Sequence, residues 1–293
     1  MFGYLLAIIS SLFYSFYVVP RKLSKLKPLD FSFLMATGFF VGSTVLYLFK
    51  PVLKFHEHLS PVLLLTVLAG GIWALAFVTF VRAIDSIGLS RSNQWKNLQG
   101  PIASILSLII LSEWKTTDPA FVLLAGLAVF ISAICFTISS SKEEAKKHRD
   151  GAYLAGLAGL GFGIVAVIQK YVTIHTGVYT QQVVWSFSIA IVLAIYIIAS
   201  GKKLPRLEIS KPDVRLALGA GLLYLGASFF QLQSFRHLPS SIAFIVIQLN
   251  TFWTIGIGIF FFKEISARKH YKRILLGTLF VILGIISFTL AKK

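Results

Sequence analysis

Amide, aromatic and basic side chains interrupt the most apolar segments of this chain, and they are its best candidates for chemistry. Amides hydrogen-bond hydroxyl groups, and the flat face of an aromatic ring packs against the C–H side of a ligand. Polar groups inside such segments are costly unless they face a cavity or one another. The predicted binding residues are Tyr14, Trp73, Asn93, Lys96, Asn97, Gln169, Tyr224, Gln231, Gln248 and Trp253. The alternative is that these groups only hydrogen-bond between helices and stabilise their packing.

Lys96 has the strongest chemical character in this set. A lysine at the centre of a membrane helix costs about 2.5–3.5 kcal/mol on insertion scales. Residues three and four apart are neighbours on a helix, so Asn93, Lys96 and Asn97 are predicted to share one face. Lys96 is expected either to bind an anionic or phosphorylated ligand or to donate to a hydroxyl group. The alternative is that its side chain extends to the membrane edge and leaves its charge in water.

The positions of the acidic residues exclude several classes of function. All eleven Asp and Glu residues fall at the ends of apolar segments or between them. A cation antiporter generally needs a carboxylate inside the membrane, so that class is disfavoured. Proton coupling through Asp85 or His237, near segment ends, stays open, as does facilitated transport. Without paired carboxylates, a nucleophile with its base, or a metal-ligand cluster, the sequence predicts no enzyme, no metal and no cofactor.

The elements that carry these residues are long apolar runs. Of the 293 residues, 56% are hydrophobic and only 13% are charged, and the mean hydropathy is +0.81. A bilayer-crossing helix needs about 20 mainly apolar residues. Ten runs qualify: Phe2–Val19, Phe31–Phe49, Pro61–Ile84, Leu89–Leu111, Pro119–Ser139, Ala152–Gln169, Val183–Ser200, Leu216–Phe235, Ser240–Phe262 and Ile274–Leu290. The predicted fold is therefore an all-α membrane protein with ten transmembrane helices.

The chain has a net charge of +17, and the positions of its basic residues predict its orientation in the membrane rather than nucleic-acid binding. The basic residues lie in short connections between apolar runs, not on one face or in a separate domain. Most of them fall in or beside the connections after the odd-numbered runs. Cytoplasmic loops carry an excess of Lys and Arg, so both termini are predicted to lie outside the cell membrane.

The two halves of the sequence are related by an internal repeat. At an offset of 151 residues, Trp73 aligns with Tyr224, Asn97 with Gln248, and Glu113 with Glu264. Residues 1–145 and 146–293 are thus predicted to be two five-helix repeats within one transmembrane domain. An odd number of crossings inverts the second copy, and carriers with inverted repeats bind substrate near the midplane between the halves.

These features resemble the drug/metabolite transporter superfamily over nearly the whole chain. The ten-helix, five-plus-five arrangement with a helix ending in Glu in each half is similar to that superfamily. Four segments are similar to the glucose/ribose porter branch of that superfamily. They are Gly-Ile-Trp-Ala-Leu-Ala from Gly71, Ser-Ile-Gly-Leu-Ser from Ser86, Leu-Ser-Glu-Trp at 111–114, and Ser-Leu-Phe-Tyr-Ser-Phe-Tyr-Val-Val-Pro at 11–20. Gln248-Leu249 ahead of Glu264 is similar to the branch pattern as well.

The resemblance implies a secondary carrier for a small polar solute, with sugar uptake by alternating access at a central cavity as the first expectation. The alternative is an amino-acid or anionic-metabolite carrier of the same superfamily with Lys96 as counter-ion. The expected partners are a small-molecule substrate and the lipid bilayer, without nucleic acid. The resemblance does not decide whether transport is coupled to a proton or whether the protein is a monomer or a homodimer.

Overall fold

The computed structural model describes residues 1–49, 60–136, 142–263 and 267–291. Within these residues the chain is 84% helical and has no strands, which confirms the all-α prediction. Glu264, one member of the aligned pair Glu113/Glu264, lies outside the described residues. In chain order the helices are α1 (Phe2–Phe16), α2 (Val19–Leu23), α3 (Pro28–Leu48), α4 (Leu64–Ile87), α5 (Leu89–Lys96), α6 (Gln99–Ile110), α7 (Pro119–Phe136), α8 (Lys142–Thr173), α9 (Val178–Ala199), α10 (Pro212–Phe235), α11 (Ser240–Ile247), α12 (Asn250–Gly256) and α13 (Ala267–Leu290).

Six helical segments in the described part of the chain are long and apolar enough to cross a bilayer. They are Phe2–Leu23, Pro28–Leu48, Pro61–Ile87, His148–Thr173, Val178–Ala199 and Pro212–Phe235. Pro119–Cys135 and Asn250–Phe261 are shorter apolar helices. Large apolar side chains cover the outer surface, for example Leu64 and Phe260, which are 74% and 83% exposed. Such a surface suits lipid rather than water.

Two of the predicted helices are interrupted. The sequence predicted one continuous helix over Leu89–Leu111 and another over Ser240–Phe262, but each breaks near its middle. α5 ends at Lys96 and α6 begins at Gln99, while α11 ends at Ile247 and α12 begins at Asn250. α12 then continues into a π-helical turn, Ile257–Phe261.

A proline explains the first break. Pro101 has no backbone N–H to donate to the carbonyl of Asn97, four residues earlier. That carbonyl accepts a tighter bond of 3.1 Å from the Gly100 N–H instead. At the second break, Thr251 N–H donates to the Gln248 carbonyl at 2.9 Å in the same three-residue pattern. At both interruptions the backbone therefore changes from four-residue to three-residue hydrogen bonding.

Helix packing brings the two sequence halves together. α4 packs on α8 and α9, α10 packs on α1 and α3, α3 packs on α9, and α7 packs on α13. Gly38 of α3 and Gly221 of α10 allow a close backbone approach, because a Cβ on Gly221 would lie 2.8 Å from the Gly38 carbonyl carbon. The bundle therefore encloses its interior between helices of both halves.

Two basic side chains hold the ends of helices. The Arg21 guanidinium donates to both Asp85 carboxylate oxygens, at 3.0 and 2.5 Å, and to the Leu26 carbonyl at 2.7 Å. Asp85 lies in the last turn of α4. The Lys170 ammonium donates to the main-chain carbonyl of Phe235, at the end of α10, and to another carbonyl just beyond it.

Candidate functional site

A small cavity lies inside the bundle and is lined by both halves of the sequence. Its lining residues are Tyr14, Tyr17, Trp73, Lys96, Gln99, Phe162, Val165, Ala166, Gln169, Trp185, Tyr224, Gln231, Phe244 and Ile247. The cavity measures about 30 Å³. A buried water needs about 10–15 Å³ measured in this way, so the space holds two or three waters. At this volume the cavity is too small for a hexose.

Aromatic rings form the largest part of the cavity wall, and Tyr224 is at their centre. Its ring centroid lies 4.8 Å from that of Trp73, 5.2 Å from that of Tyr17, 5.8 Å from that of Tyr14 and 5.9 Å from that of Trp185. Contacts at these distances hold each ring in place. The cluster therefore presents flat, rigid apolar faces toward the cavity.

Polar groups complete the wall. The Tyr14 hydroxyl donates to the Gln231 side-chain oxygen. Lys96 is only 1% exposed, and its ammonium lies 5.7 Å from the centroid of the Phe80 ring. Gln169, with 1% exposure, receives a hydrogen bond from the Gln181 side chain. Flat rings next to amide and ammonium donors can bind the two faces of a hydroxylated ring.

Three of the predicted binding residues lie in a separate hydrogen-bonded cluster where the interrupted helices cross. The Gln248 amide donates to the Asn97 carbonyl at 3.1 Å. The Asn97 amide donates to Asn250 Oδ1 at 3.0 Å and to the Thr251 hydroxyl at 2.6 Å, and Asn93 donates weakly to the same Asn250 oxygen at 3.4 Å. Asn93, Asn97 and Gln248 do not line the cavity. Their contacts correspond to the alternative stated above, in which polar groups stabilise helix packing.

Trp253 also lies away from the cavity. It is 49% exposed, on the outer side of α12. An exposed tryptophan on an apolar outer surface contacts lipid rather than a ligand held inside the bundle. We therefore leave it out of the candidate site.

Eight lining residues are absent from the predicted set, and three of them carry a polar group: Tyr17, Gln99 and Trp185. Tyr17 follows Tyr14 by three residues, so helical spacing offered a signal for it. Gln99 was harder to assign, because the break after Lys96 changes which side chains share a face. Trp185 resembles any other aromatic residue of an apolar run until the packing of α9 is known.

Comparisons with known proteins agree with this architecture. The family model described as sugar transport protein matches residues 56–291. A relative from Lactiplantibacillus plantarum that is named as a sugar uptake protein is 23% identical over 229 residues, covering 77% of this chain and 78% of its own. A relative from Bacillus cereus that is named as a glucose uptake protein, GlcU, is 24% identical over 259 residues and 87% of each chain.

One solved crystal structure superposes with a TM-score of 0.64 over 98% of this chain and 96% of its own, at 14% identity. At that identity the similarity shows a shared fold. The family model spans most of the chain, and the helices are those of a multi-pass membrane protein. This chain therefore belongs to the sugar transport protein family, within the drug/metabolite transporter superfamily, and is a sugar transporter rather than an enzyme.

Proposed function

We propose that this transporter carries a monosaccharide by alternating access, with the aromatic-lined cavity as its binding site. The proposed site comprises Tyr14, Trp73, Lys96, Gln169, Tyr224 and Gln231, joined by Tyr17, Gln99 and Trp185. The observation that carries the proposal is that side chains from both halves of the chain line this cavity, which measures about 30 Å³. A hexose can occupy it only if the halves move apart, and such movement opens a path to one side of the membrane.

The arrangement of the helices supports a five-plus-five inverted repeat. If α1, α3 and α4 correspond to α8, α9 and α10, the packing of α4 on α8 corresponds to that of α10 on α1. The packing of α4 on α9 corresponds in the same way to that of α10 on α3. The two interrupted helices also break at aligned positions, Asn97 and Gln248. On this basis we assign residues 1–145 and 146–293 to the two repeats and propose ten membrane crossings.

Proton coupling at this site has no support from the two titratable residues near helix ends. Neither Asp85 nor His237 lines the cavity, and Asp85 is paired with Arg21. Both halves of one chain line the cavity, and this supports a monomer as the functional unit. The basic loops support both termini outside the cell membrane.

Uptake by purified protein tests the proposal. We expect proteoliposomes containing the protein to take up radiolabelled D-glucose with saturation, and protein-free liposomes to show only leakage. The same assay with an imposed proton gradient separates symport from facilitated transport. Uptake that does not exceed the leak for D-glucose or any other monosaccharide, from correctly inserted protein, would contradict the proposed substrate class and site.

A further inference from the structure

Two buried hydrogen-bond donors without acceptors and one lysine ammonium line the cavity. Lys96, Gln169 and Trp185 all line it. The Gln169 amide nitrogen and the Trp185 indole nitrogen are buried and have no hydrogen-bond partner among the described residues. A buried donor without an acceptor costs about 1–3 kcal/mol, so two such groups beside a lysine ammonium at one cavity favour a ligand rich in acceptors.

The orientation of the Gln169 amide is fixed by its neighbour. The Gln181 side-chain nitrogen donates to the Gln169 main-chain carbonyl at 3.0 Å, which settles which end of the Gln181 amide faces Gln169. The same nitrogen donates to the Gln169 side-chain oxygen. The nitrogen of the Gln169 amide is therefore the end left without a partner.

Lys96 adds a positive charge to this set of donors. Its ammonium faces the Phe80 ring at 5.7 Å, and it lies in the last turn of α5, where helix carbonyls favour a cation. Neither contact supplies a negative charge. Of the acidic residues that the structure describes, none lines the cavity. A buried charge is normally paired, and since no described acidic side chain at the cavity pairs with Lys96, an anionic ligand is the partner that would complete the site.

We propose that the substrate of this transporter is an acidic monosaccharide whose carboxylate pairs with Lys96 while its ring packs on the aromatic wall. This inference rests on the proposed function, and it narrows the substrate from sugars in general to uronates and aldonates. A neutral sugar hydroxyl can accept from Gln169 or Trp185, but it cannot neutralise an ammonium. One lysine matches the single charge of a carboxylate, whereas a sugar phosphate near neutral pH carries close to two charges.

Competition experiments test this on the wild-type protein in proteoliposomes. Uptake of radiolabelled D-glucuronate is measured against unlabelled D-glucuronate, D-glucose, glucose 6-phosphate and D-glucuronamide, the neutral amide of the same sugar. We expect D-glucuronate to compete at a concentration at least tenfold lower than D-glucose or D-glucuronamide requires. Glucose 6-phosphate should compete less well than D-glucuronate.

Variants of Lys96 test the role of the charge. Lys96→Gln should lower the ratio of glucuronate affinity to glucose affinity at least tenfold, and Lys96→Arg should retain most of that ratio. Lys203→Gln, which removes an exposed lysine from the loop before α10, should leave the ratio unchanged. If Lys96→Gln does not fold, tryptophan fluorescence of the wild type decides the question, because Trp73 and Trp185 line the cavity. Half-maximal quenching should then need at least tenfold less D-glucuronate than D-glucuronamide.

The possible failures are distinguishable. Saturable glucose uptake with equal or weaker competition by D-glucuronate would overturn the acidic-substrate inference and leave the proposed function intact. An unchanged affinity ratio in Lys96→Gln would overturn it in the same way. Absence of saturable uptake for every one of these sugars, from intact protein, would contradict the inference and the proposed function together.

Discussion

The side-chain amide of Gln248 donates a hydrogen bond of 3.1 Å to the main-chain carbonyl of Asn97, which precedes it by 151 residues. The same offset relates Trp73 to Tyr224, whose ring centroids lie 4.8 Å apart. Aligned residues of the two halves thus meet twice, once in the cavity wall and once where the interrupted helices cross. Residues close to a pseudo-two-fold axis contact their own equivalents, so both pairs fit the proposed repeat.

The Trp73 ring is expected to be essential for transport because it supplies a flat face. Trp73→Leu fills apolar volume without such a face, and we expect sugar uptake at low substrate concentration to fall at least about tenfold, equivalent to about 1.4 kcal/mol. Trp73→Phe keeps a ring and should retain much of the activity. Proteoliposome uptake, normalised to the amount of inserted protein, measures both variants.

Trp253→Leu is the matched control for this comparison. It removes a tryptophan that is 49% exposed outside the cavity, and wild-type uptake is expected. Equal losses of uptake in Trp73→Leu and Trp253→Leu would contradict our assignment of the site, because removal of any tryptophan would then reduce uptake.

The helices were largely predictable from the sequence because long apolar runs must form helices in a bilayer. The residues at which these helices begin and end were less predictable. α8 begins at Lys142, ten residues before the predicted start, because a helix continues into water where hydropathy falls. α9 begins at Val178 rather than Val183, since Gln181 and Gln182 are fully buried against other helices. Hydropathy reports exposure to lipid, not the limits of backbone hydrogen bonding.

The candidate site was predictable only in part. Six of the ten predicted residues line the cavity, because polar groups in apolar helices have to face something other than lipid. Asn93 and Asn97 share a helix face as predicted and both donate to Asn250 Oδ1, but Lys96, which was predicted to share that face, lines the cavity instead. Pro101 was the available signal for the break after Lys96. Which polar groups face a cavity and which face another helix depends on packing that a single sequence does not determine.

Gly100 should be intolerant of a side chain because of its position at the crossing. A Cβ there would lie 2.9 Å from the Gln248 side-chain carbon Cδ, and overpacking typically costs about 1–3 kcal/mol. We expect Gly100→Ala to lower the thermal unfolding midpoint in detergent. Adding Gln248→Ala removes the obstructing amide, so the double variant should be more stable than the sum of the two single effects predicts.

Gly219→Ala serves as the control, because nothing lies within 4 Å of a Cβ at that position of α10. It should leave the midpoint unchanged or raise it slightly, since alanine favours a helix over glycine by about 0.5–1 kcal/mol. Strict additivity of Gly100→Ala and Gln248→Ala would argue against the contact that we describe.

Arg21 and Asp85 should stabilise the fold as a pair. Arg21 is 6% exposed, so Asp85→Ala leaves a buried guanidinium without its carboxylate, and we expect a loss of about 2–3 kcal/mol. The exchange Arg21→Asp/Asp85→Arg should recover part of that loss. Asp150→Ala is the control, because its contact with Arg149 is exposed and contributes little. Thermal unfolding of the four proteins in one detergent measures the differences, and equal midpoints for Asp85→Ala and Asp150→Ala would refute a stabilising role.

The proposed orientation can be tested by cysteine labelling, because the chain has a single native cysteine, Cys135. In a Cys135→Ser background, His175→Cys places a thiol in the exposed connection between α8 and α9, and Lys203→Cys places one in the connection between α9 and α10. These connections lie at opposite ends of α9. With both termini outside, a membrane-impermeant maleimide should label His175→Cys in intact cells and label Lys203→Cys only after permeabilisation. The reverse pattern would invert the topology, which would mean that the basic loops of this chain do not follow the positive-inside rule.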